Sequence, residues 1–328
     1  MKAAVLGAGS WGTTLAVHLA RAGHDVRLWG RSAAELTRMD EARENRKFLP
    51  GIALPDQVKV QPQLNAALEQ ADAALFVVPS QATRAVAQQV AATGRRSLWV
   101  CASKGLELGT LARMSQVLGE ALGDQDAVVL TGPSHAEEVA LGIPTSIVAA
   151  ARDDARARAV QELCSTDRFR VYTNDDVVGC EYGAALKNVI AIAAGVGDGL
   201  GFGDNTKAAL LTRGLSEISR LGVAMGGRRE TFFGLAGMGD LIATATSRHS
   251  RNRHVGESLG RGATLEQTLA GMVMVAEGVH TCRAAREAGR AHGIELPITE
   301  QVCAILFEGR RPDHALQALM SRALKRVA

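Results

Sequence analysis

The chain has 328 residues, more than one hydrophobic core usually serves, and its 47% hydrophobic and 22% charged residues exclude wholesale disorder. Its 37 Lys and Arg against 34 Asp and Glu leave a formal charge of +3, too little for a general attraction to nucleic acid or an anionic membrane. Aromatic residues, at 4%, leave little material for stacking on bases, so no nucleic-acid partner is expected.

In chain order, the first half offers short β-rich runs, "AAVLG", "DVRLWG", "AALFVVPS", "SLWVCAS", "AVVLTGPS" and "TSIVAAA", each followed by turn residues and interleaved with helical stretches. Such alternation predicts parallel strands joined by crossover helices. From Val177 onward the pattern becomes helical, with 3.6-period segments over 179–197, 205–225, 252–260, 264–272, 278–292, 297–309 and 313–326.

Five cysteines, Cys101, Cys164, Cys180, Cys282 and Cys303, show no C-x-x-C pair and no metal-like spacing to histidine, so neither a disulfide nor a metal site is expected. A lysine precedes the apolar N-terminal run as in a signal peptide, but three glycines and Ser10 interrupt it. The longest other apolar run, Val189–Val196, falls short of the roughly 20 residues of a membrane span. The expectation is a cytoplasmic chain without membrane insertion.

"AVLGAGSWG" places Gly7, Gly9 and Gly12 in G-x-G-x-x-G spacing, after an apolar strand and at the start of a helical run. The first glycine of such a loop makes a tight turn, the second admits a pyrophosphate close to the backbone, and the third lets the helix pack closely. The helix N-terminus then faces the anion. A dinucleotide cofactor is the consequence. The expected fold class is therefore α/β: an N-terminal Rossmann-type, mostly parallel sheet over 1–176, joined to a C-terminal all-α domain over 177–328 that carries substrate and catalytic groups.

The second strand ends "RLWGR", with Gly30 and Arg31 where an NAD-specific site has an acid for the ribose 2′-hydroxyl. An arginine there suits a 2′-phosphate, hence NADP(H), while a plain surface arginine would leave NAD(H) open. Ligands of parallel sheets lie beyond the carboxyl ends of the strands. Lys104 in "CASKG" and the "TGPSHAEEVA" turn from Gly132 are placed there, although Ser134 is equally an ordinary helix cap. Between Glu181 and Asp198 the only charged residue is Lys187, in a stretch apolar on nearly every side. Burial lowers a lysine's pKa and makes it a candidate acid or base; a lysine that snorkels to solvent is the plainer alternative.

These stretches together resemble the bacterial NAD(P)-dependent glycerol-3-phosphate dehydrogenase family. The resemblance rests on "GAGSWGTTLA", "FLPG", "VPS", "SKG", "GPSHAEEVA", "ALKNVIAIAAG", "GDNTKAAL", "GMGDLIATATS" and "SRNR", in family order over nearly the whole chain. His135 stands where the family often has Phe and Ala245 where Cys is common. The resemblance implies reduction of dihydroxyacetone phosphate to sn-glycerol 3-phosphate for phospholipid synthesis, with NAD(P)H as cofactor. It further implies Lys187 as the proton donor or acceptor. Lys104, Gly132, Ser134, Asp240, Ser250, Arg251 and Asn252 would bind substrate, with Lys104 and Arg251 also near the cofactor. Ser10, Trp11, Arg31, Ala136, Val275 and Glu277 would complete the cofactor contacts. Arg248, His249, Arg253 and His254 are expected to form a solvated positive surround. Asp240 is expected to bind the glycerol hydroxyls or to hold Lys187. Competing readings are a 6-phosphogluconate or 3-hydroxyacid dehydrogenase and a non-catalytic nucleotide sensor. Apolar helices such as "ITEQVCAILFEG" suit either internal packing or a homodimer interface.

Overall fold

The computed structural model describes residues 1–321. Eight strands, β1 (Lys2–Leu6), β2 (Asp25–Trp29), β3 (Val58–Gln61), β4 (Ala73–Phe76), β5 (Leu98–Cys101), β6 (Val128–Thr131), β7 (Thr145–Ala150) and β8 (Phe169–Asn174), form one sheet. Their order is β3-β2-β1-β4-β5-β6-β7-β8, and β6–β7 is the one antiparallel pairing. The order reverses between β1 and β4, the switch point beyond which open α/β sheets bind ligands.

Helices cover both faces, so β1, β4, β5 and β6 at the middle of the sheet are buried along nearly their whole length. Ala3 and Val5 pack into one core layer while Ala4 and Leu6 pack into the other, and Leu75 and Phe76 divide in the same way. The strands absent from the sequence reading, β3 and β8, are the two edges. In β8 Phe169 and Val171 are buried while Arg170 and Tyr172 face solvent, an alternation that a search for continuous apolar runs passes over.

After β8, Asp176 caps the 23-residue helix Val177–Gly199 by accepting from the Gly179 N–H at 2.8 Å. This helix is long and apolar enough to cross a membrane by composition, but 83% of its most apolar window is buried inside the protein. It forms the axis of a third core with Leu186, Val189, Ile190, Leu215, Ile218 and Val255. The helix Arg251–Gly260 lies directly on it: a Cβ on Gly195 would stand 2.0 Å from the Arg253 carbonyl oxygen, and one on Gly256 would stand 1.9 Å from that of Ile192. Glycine at both positions is what permits this approach, and it carries Arg251 to the same end of the molecule as Lys187.

Among the helices of this half, the short Arg229–Phe232 helix, a π-turn at Leu235–Gly239 and the helix Asp240–Thr246 were hidden by glycine-rich sequence. The last described helix is Pro312–Met320; residues 322–326 of the expected 313–326 segment lie outside the described residues. One expectation is corrected. Cys282 and Cys303 form a disulfide pair with Cα atoms 6.0 Å apart, joining helices Glu277–Ala291 and Pro297–Phe307. Their separation of 21 residues carries no local signal, because helix packing creates the encounter.

Candidate active site

Two groups of residues meet at the carboxyl edge of the sheet. The first is made of backbone. Gly7 turns the chain with φ +130°, and its N–H donates to the Trp29 carbonyl at 2.8 Å. A Cβ on Gly12 would stand 1.7 Å from the Gly7 carbonyl oxygen, so helix and loop are in direct contact. Gly9 is different: a Cβ there would meet no protein atom within 4 Å. Gly9 caps the helix Ser10–Arg21 without any side-chain hydrogen bond, so no capping side chain takes its first N–H groups. An open cradle at an uncapped helix N-terminus fits the pyrophosphate of a dinucleotide.

Around this loop, Ser10 is buried and Trp11 half-buried, its Nε1–H without a protein acceptor among the described residues. Arg31 is exposed just beyond β2 and bonds to no described residue. Ala136 is buried, its carbonyl accepting from Thr14 Oγ1 at 3.0 Å, so its backbone ties the Ala136–Ala140 helix to the Ser10 helix.

The second group is made of side chains. Lys187 is 5% exposed, and its Nζ donates to Asp240 Oδ1 at 2.5 Å and Thr244 Oγ1 at 2.6 Å. The other Asp240 oxygen accepts from Lys104 Nζ at 2.8 Å, and Lys104 also donates to the Gly132 carbonyl at 3.0 Å. One carboxylate therefore holds two ammonium groups, one oxygen for each. Burial pulls the Lys187 pKa down to about 7, with the Lys104 charge adding to the fall and the Asp240 charge opposing it. For Asp240, burial would raise the carboxyl pKa, but the two ammonium groups outweigh it and hold the pKa below the usual carboxylate value. Lys187 is thus poised to gain or lose a proton near neutral pH while its counter-ion stays charged.

Ser134 Oγ donates to the Gly132 carbonyl at 3.0 Å, within the same turn as Lys104's acceptor. Ser250 caps the Arg251–Gly260 helix, accepting from the Arg253 N–H at 3.2 Å, and Arg251 follows it, exposed to solvent. Asn252 is buried, donating to Asn188 Oδ1 and accepting from the Gly278 N–H, both at 2.9 Å. It bonds to Lys187's neighbour and not to Lys187. Glu277, opening its helix, accepts from the Ser80 N–H at 3.1 Å and Ser80 Oγ at 2.5 Å, a bridge from the helical half to the β4 turn; Val275 is exposed beside it.

Arg253 is a correction: far from forming a solvated surround, its guanidinium donates to Asp198 at 2.6 Å and pins the Arg251 helix to the Lys187 helix. Arg248 and His254 are exposed as expected. Sequence reading missed Thr244, whose signal was its spacing of four from Asp240, which places both on one helix face. It also missed Asn45, buried in the loop before β3, whose Nδ2 donates to the Ala8 carbonyl at 3.0 Å and to Thr13 Oγ1 at 2.7 Å. No local pattern marks a brace that crosses 37 residues of chain.

Residues 2–157 match the model of the NAD-dependent glycerol-3-phosphate dehydrogenase N-terminus, and residues 176–317 that of its C-terminus. The chain belongs to this family. It is 52% identical over 325 residues to the NAD(P)+ glycerol-3-phosphate dehydrogenase of Desulfitobacterium hafniense, covering 99% of this chain and 92% of that one. With the corresponding enzyme of Bacillus mycoides it shares 49% over 328 residues, covering 99% and 96%. The crystal structure of glycerol-3-phosphate dehydrogenase from Coxiella burnetii superposes with a TM-score of 0.95 at 38% identity, covering 98% of this chain and 99% of the other. The family's dependence on NAD(P) accords with the open Gly9 cradle.

Proposed function

We propose that this chain is an NAD(P)-dependent glycerol-3-phosphate dehydrogenase that interconverts dihydroxyacetone phosphate and sn-glycerol 3-phosphate, the latter a precursor for phospholipids. The observation that carries the reading is the buried Lys187 ammonium, held by Asp240 and set against the carboxyl edge of the sheet next to Lys104.

The bound nicotinamide supplies hydride. Lys187 then has the task of stabilising negative charge on the oxygen that becomes the C2 hydroxyl, and of handing it a proton. A pKa near 7 lets the same group donate in reduction and accept in oxidation. Asp240 orients Lys187 and Lys104 together, so it acts on the substrate through them. Lys104, Gly132 and Ser134 line one wall for the substrate. Ser250, Arg251 and Asn252 line the other, where Arg251, exposed and near Glu277, clamps the phosphate. Gly7, Gly9, Gly12, Ser10, Trp11 and Arg31 would hold the adenine and pyrophosphate end of the cofactor. Ala136, Val275 and Glu277 would complete the contacts to the cofactor.

The division of labour follows a boundary at residues 176 and 177, between the end of β8 and the long helix. The reading places the protein in the cytoplasm; of the two uses open to its C-terminal apolar helices, internal packing is the one supported, since Ile298, Val302, Cys303 and Leu306 of Pro297–Phe307 lie in the helical core.

The test is oxidation of NADPH and NADH with dihydroxyacetone phosphate, run beside 6-phosphogluconate and hydroxyisobutyrate. Turnover with dihydroxyacetone phosphate is expected. Turnover with only the other two compounds would replace this reading with the sugar-acid or hydroxyacid one, and the ratio of the two cofactors reports on Arg31.

A further inference from the structure

We propose that His135 is a positioning residue, which fixes the width of the substrate cleft through a hydrogen bond to the Ala243 carbonyl. The proposal rests on the dihydroxyacetone phosphate reading and adds a residue to which the preceding assignment gives no role.

His135 Nε2 lies 3.1 Å from the Ala243 carbonyl oxygen. A carbonyl can only accept, so Nε2 carries the proton and Nδ1 is the free ring nitrogen. Burial holds the His135 pKa below the ordinary imidazole value, against the carbonyl bond that raises it. The ring therefore stays neutral at neutral pH, and the tether does not place a third cation beside Lys187 and Lys104.

The two ends of this bond matter because of what they carry. His135 closes the turn that begins at Gly132, and the Gly132 carbonyl takes the Lys104 ammonium. Ala243 sits in the Asp240–Thr246 helix, in the turn whose Asp240 and Thr244 side chains hold Lys187. Ala243 also accepts from the Ser247 N–H at 3.1 Å, at the point where the chain leaves this helix for Ser250 and Arg251. The Gly132–His135 turn is thus fastened to the opposite wall twice, through Lys104–Asp240 and through His135–Ala243. The first fastening is ionic and holds the chemistry. The second crosses between the two walls of the cleft and sets where the Ser247–Arg251 turn stands relative to the Ser134 wall. A substrate phosphate clamped by Arg251 depends on that spacing directly, whereas the cradle at Gly9 is linked to His135 only through the Ala136 backbone, whose carbonyl accepts from Thr14.

Steady-state kinetics of the full-length protein, comparing wild type with His135→Phe and His135→Gln, test this. Phenylalanine keeps a ring and removes the donor; glutamine restores an N–H within reach of the carbonyl. We expect His135→Phe to raise KM for dihydroxyacetone phosphate about three- to tenfold, the weight of one hydrogen bond, with a smaller change in KM for NADPH, and His135→Gln to recover most of the loss. A His135→Phe enzyme with wild-type KM, or a glutamine variant no better than the phenylalanine one, overturns the proposal. Ring 15N NMR of the wild type gives a readout free of turnover, with the His135 signal assigned by its loss in either variant. The neutral Nε2–H tautomer supports the tether, and the Nδ1–H tautomer overturns it. If the wild type does not reduce dihydroxyacetone phosphate at all, the functional reading fails instead, and the NMR result alone decides the tether. The glutamine variant and the NMR measurement decide equally if His135→Phe does not fold.

Discussion

The glycine loop and the lysine centre solve different problems with different materials. At the loop, the roles proposed for Gly7, Gly9 and Gly12 rest on what they lack, and the atoms offered are backbone N–H groups from one stretch of six residues. At the centre, Lys187, Asp240, Lys104 and Thr244 act by what they bear, and they come from three distant stretches of chain. A site of backbone is specified locally and tolerates no added atoms. A site of charges is specified by packing and tolerates no missing ones. Substitutions should therefore separate the two cleanly: changes at the loop should move cofactor affinity, and changes at the centre should move turnover.

The largest separation is expected at Lys187. Lys187→Ala should lower kcat by about 10²- to 10⁴-fold, the usual contribution of a general acid, while leaving KM for NADPH close to wild type. A kcat within a few-fold of wild type would remove Lys187 from the chemistry. The wild-type pH profile adds a sign. Because the Lys187 pKa lies at about 7, the protonated donor is lost as pH rises through that value, so kcat for reduction should fall on the alkaline side. The oxidation direction needs the neutral amine and should rise over the same range. Asp240→Asn removes the charge that raises the Lys187 pKa, so the limb should move below pH 7. A limb that stays in place in Asp240→Asn would assign it to another group.

The same contrast explains what the sequence made legible. The loop could be read directly, because three glycines at fixed spacing after an apolar strand are a complete local description of it. Lys187 could be singled out as the lone charge in an apolar helix, but not its geometry. That helix is buried on all sides only because Gly195 and Gly256 let its neighbour press against it, a long-range fact. Asp240 was ambiguous between binding substrate and holding the lysine, and the structure places it between two ammonium groups. The edge strands β3 and β8 escaped because half-exposed strands alternate, whereas β4 and β6 at the middle of the sheet are buried from end to end. Arg253 and the Cys282–Cys303 pair were misread for one reason: both are partnered across helix contacts that leave no mark in nearby sequence.

A second test divides the loop itself. Gly9 has φ −80° and ψ −173°, which any residue adopts, and empty space where its side chain would be. Gly9→Ala should fold with an unchanged Tm yet raise KM for the cofactor about tenfold or more, roughly 1.4 kcal/mol, because the methyl group would fill the cradle proposed for the pyrophosphate. Gly12→Ala instead drives a Cβ onto the Gly7 carbonyl and should lower Tm first. If Gly9→Ala binds NADPH normally, the cradle is not where the pyrophosphate lies, and the proposed division between a backbone site and a side-chain site fails at its first member.

The smallest effect, and the finest test of the division, is expected at Asn45. This residue belongs to neither group by sequence, but its amide Nδ2 holds the Ala8 carbonyl and Thr13 Oγ1, one on each side of Gly9, while its Oδ1 accepts from the Phe48 N–H at 3.2 Å. It is 4% exposed, so removing it leaves buried polar atoms without partners. Asn45→Ala should therefore lower Tm slightly and raise KM for NADPH about three- to tenfold, with kcat at saturating cofactor preserved. Asn45→Asp keeps the shape and the acceptor for Phe48 but loses both donors, and should match the alanine variant in cofactor KM. A fall in kcat at saturating cofactor would mean that loop geometry is transmitted to the lysine centre. The two regions would then act as one site, and the contrast between backbone and charge would describe their construction without describing their function.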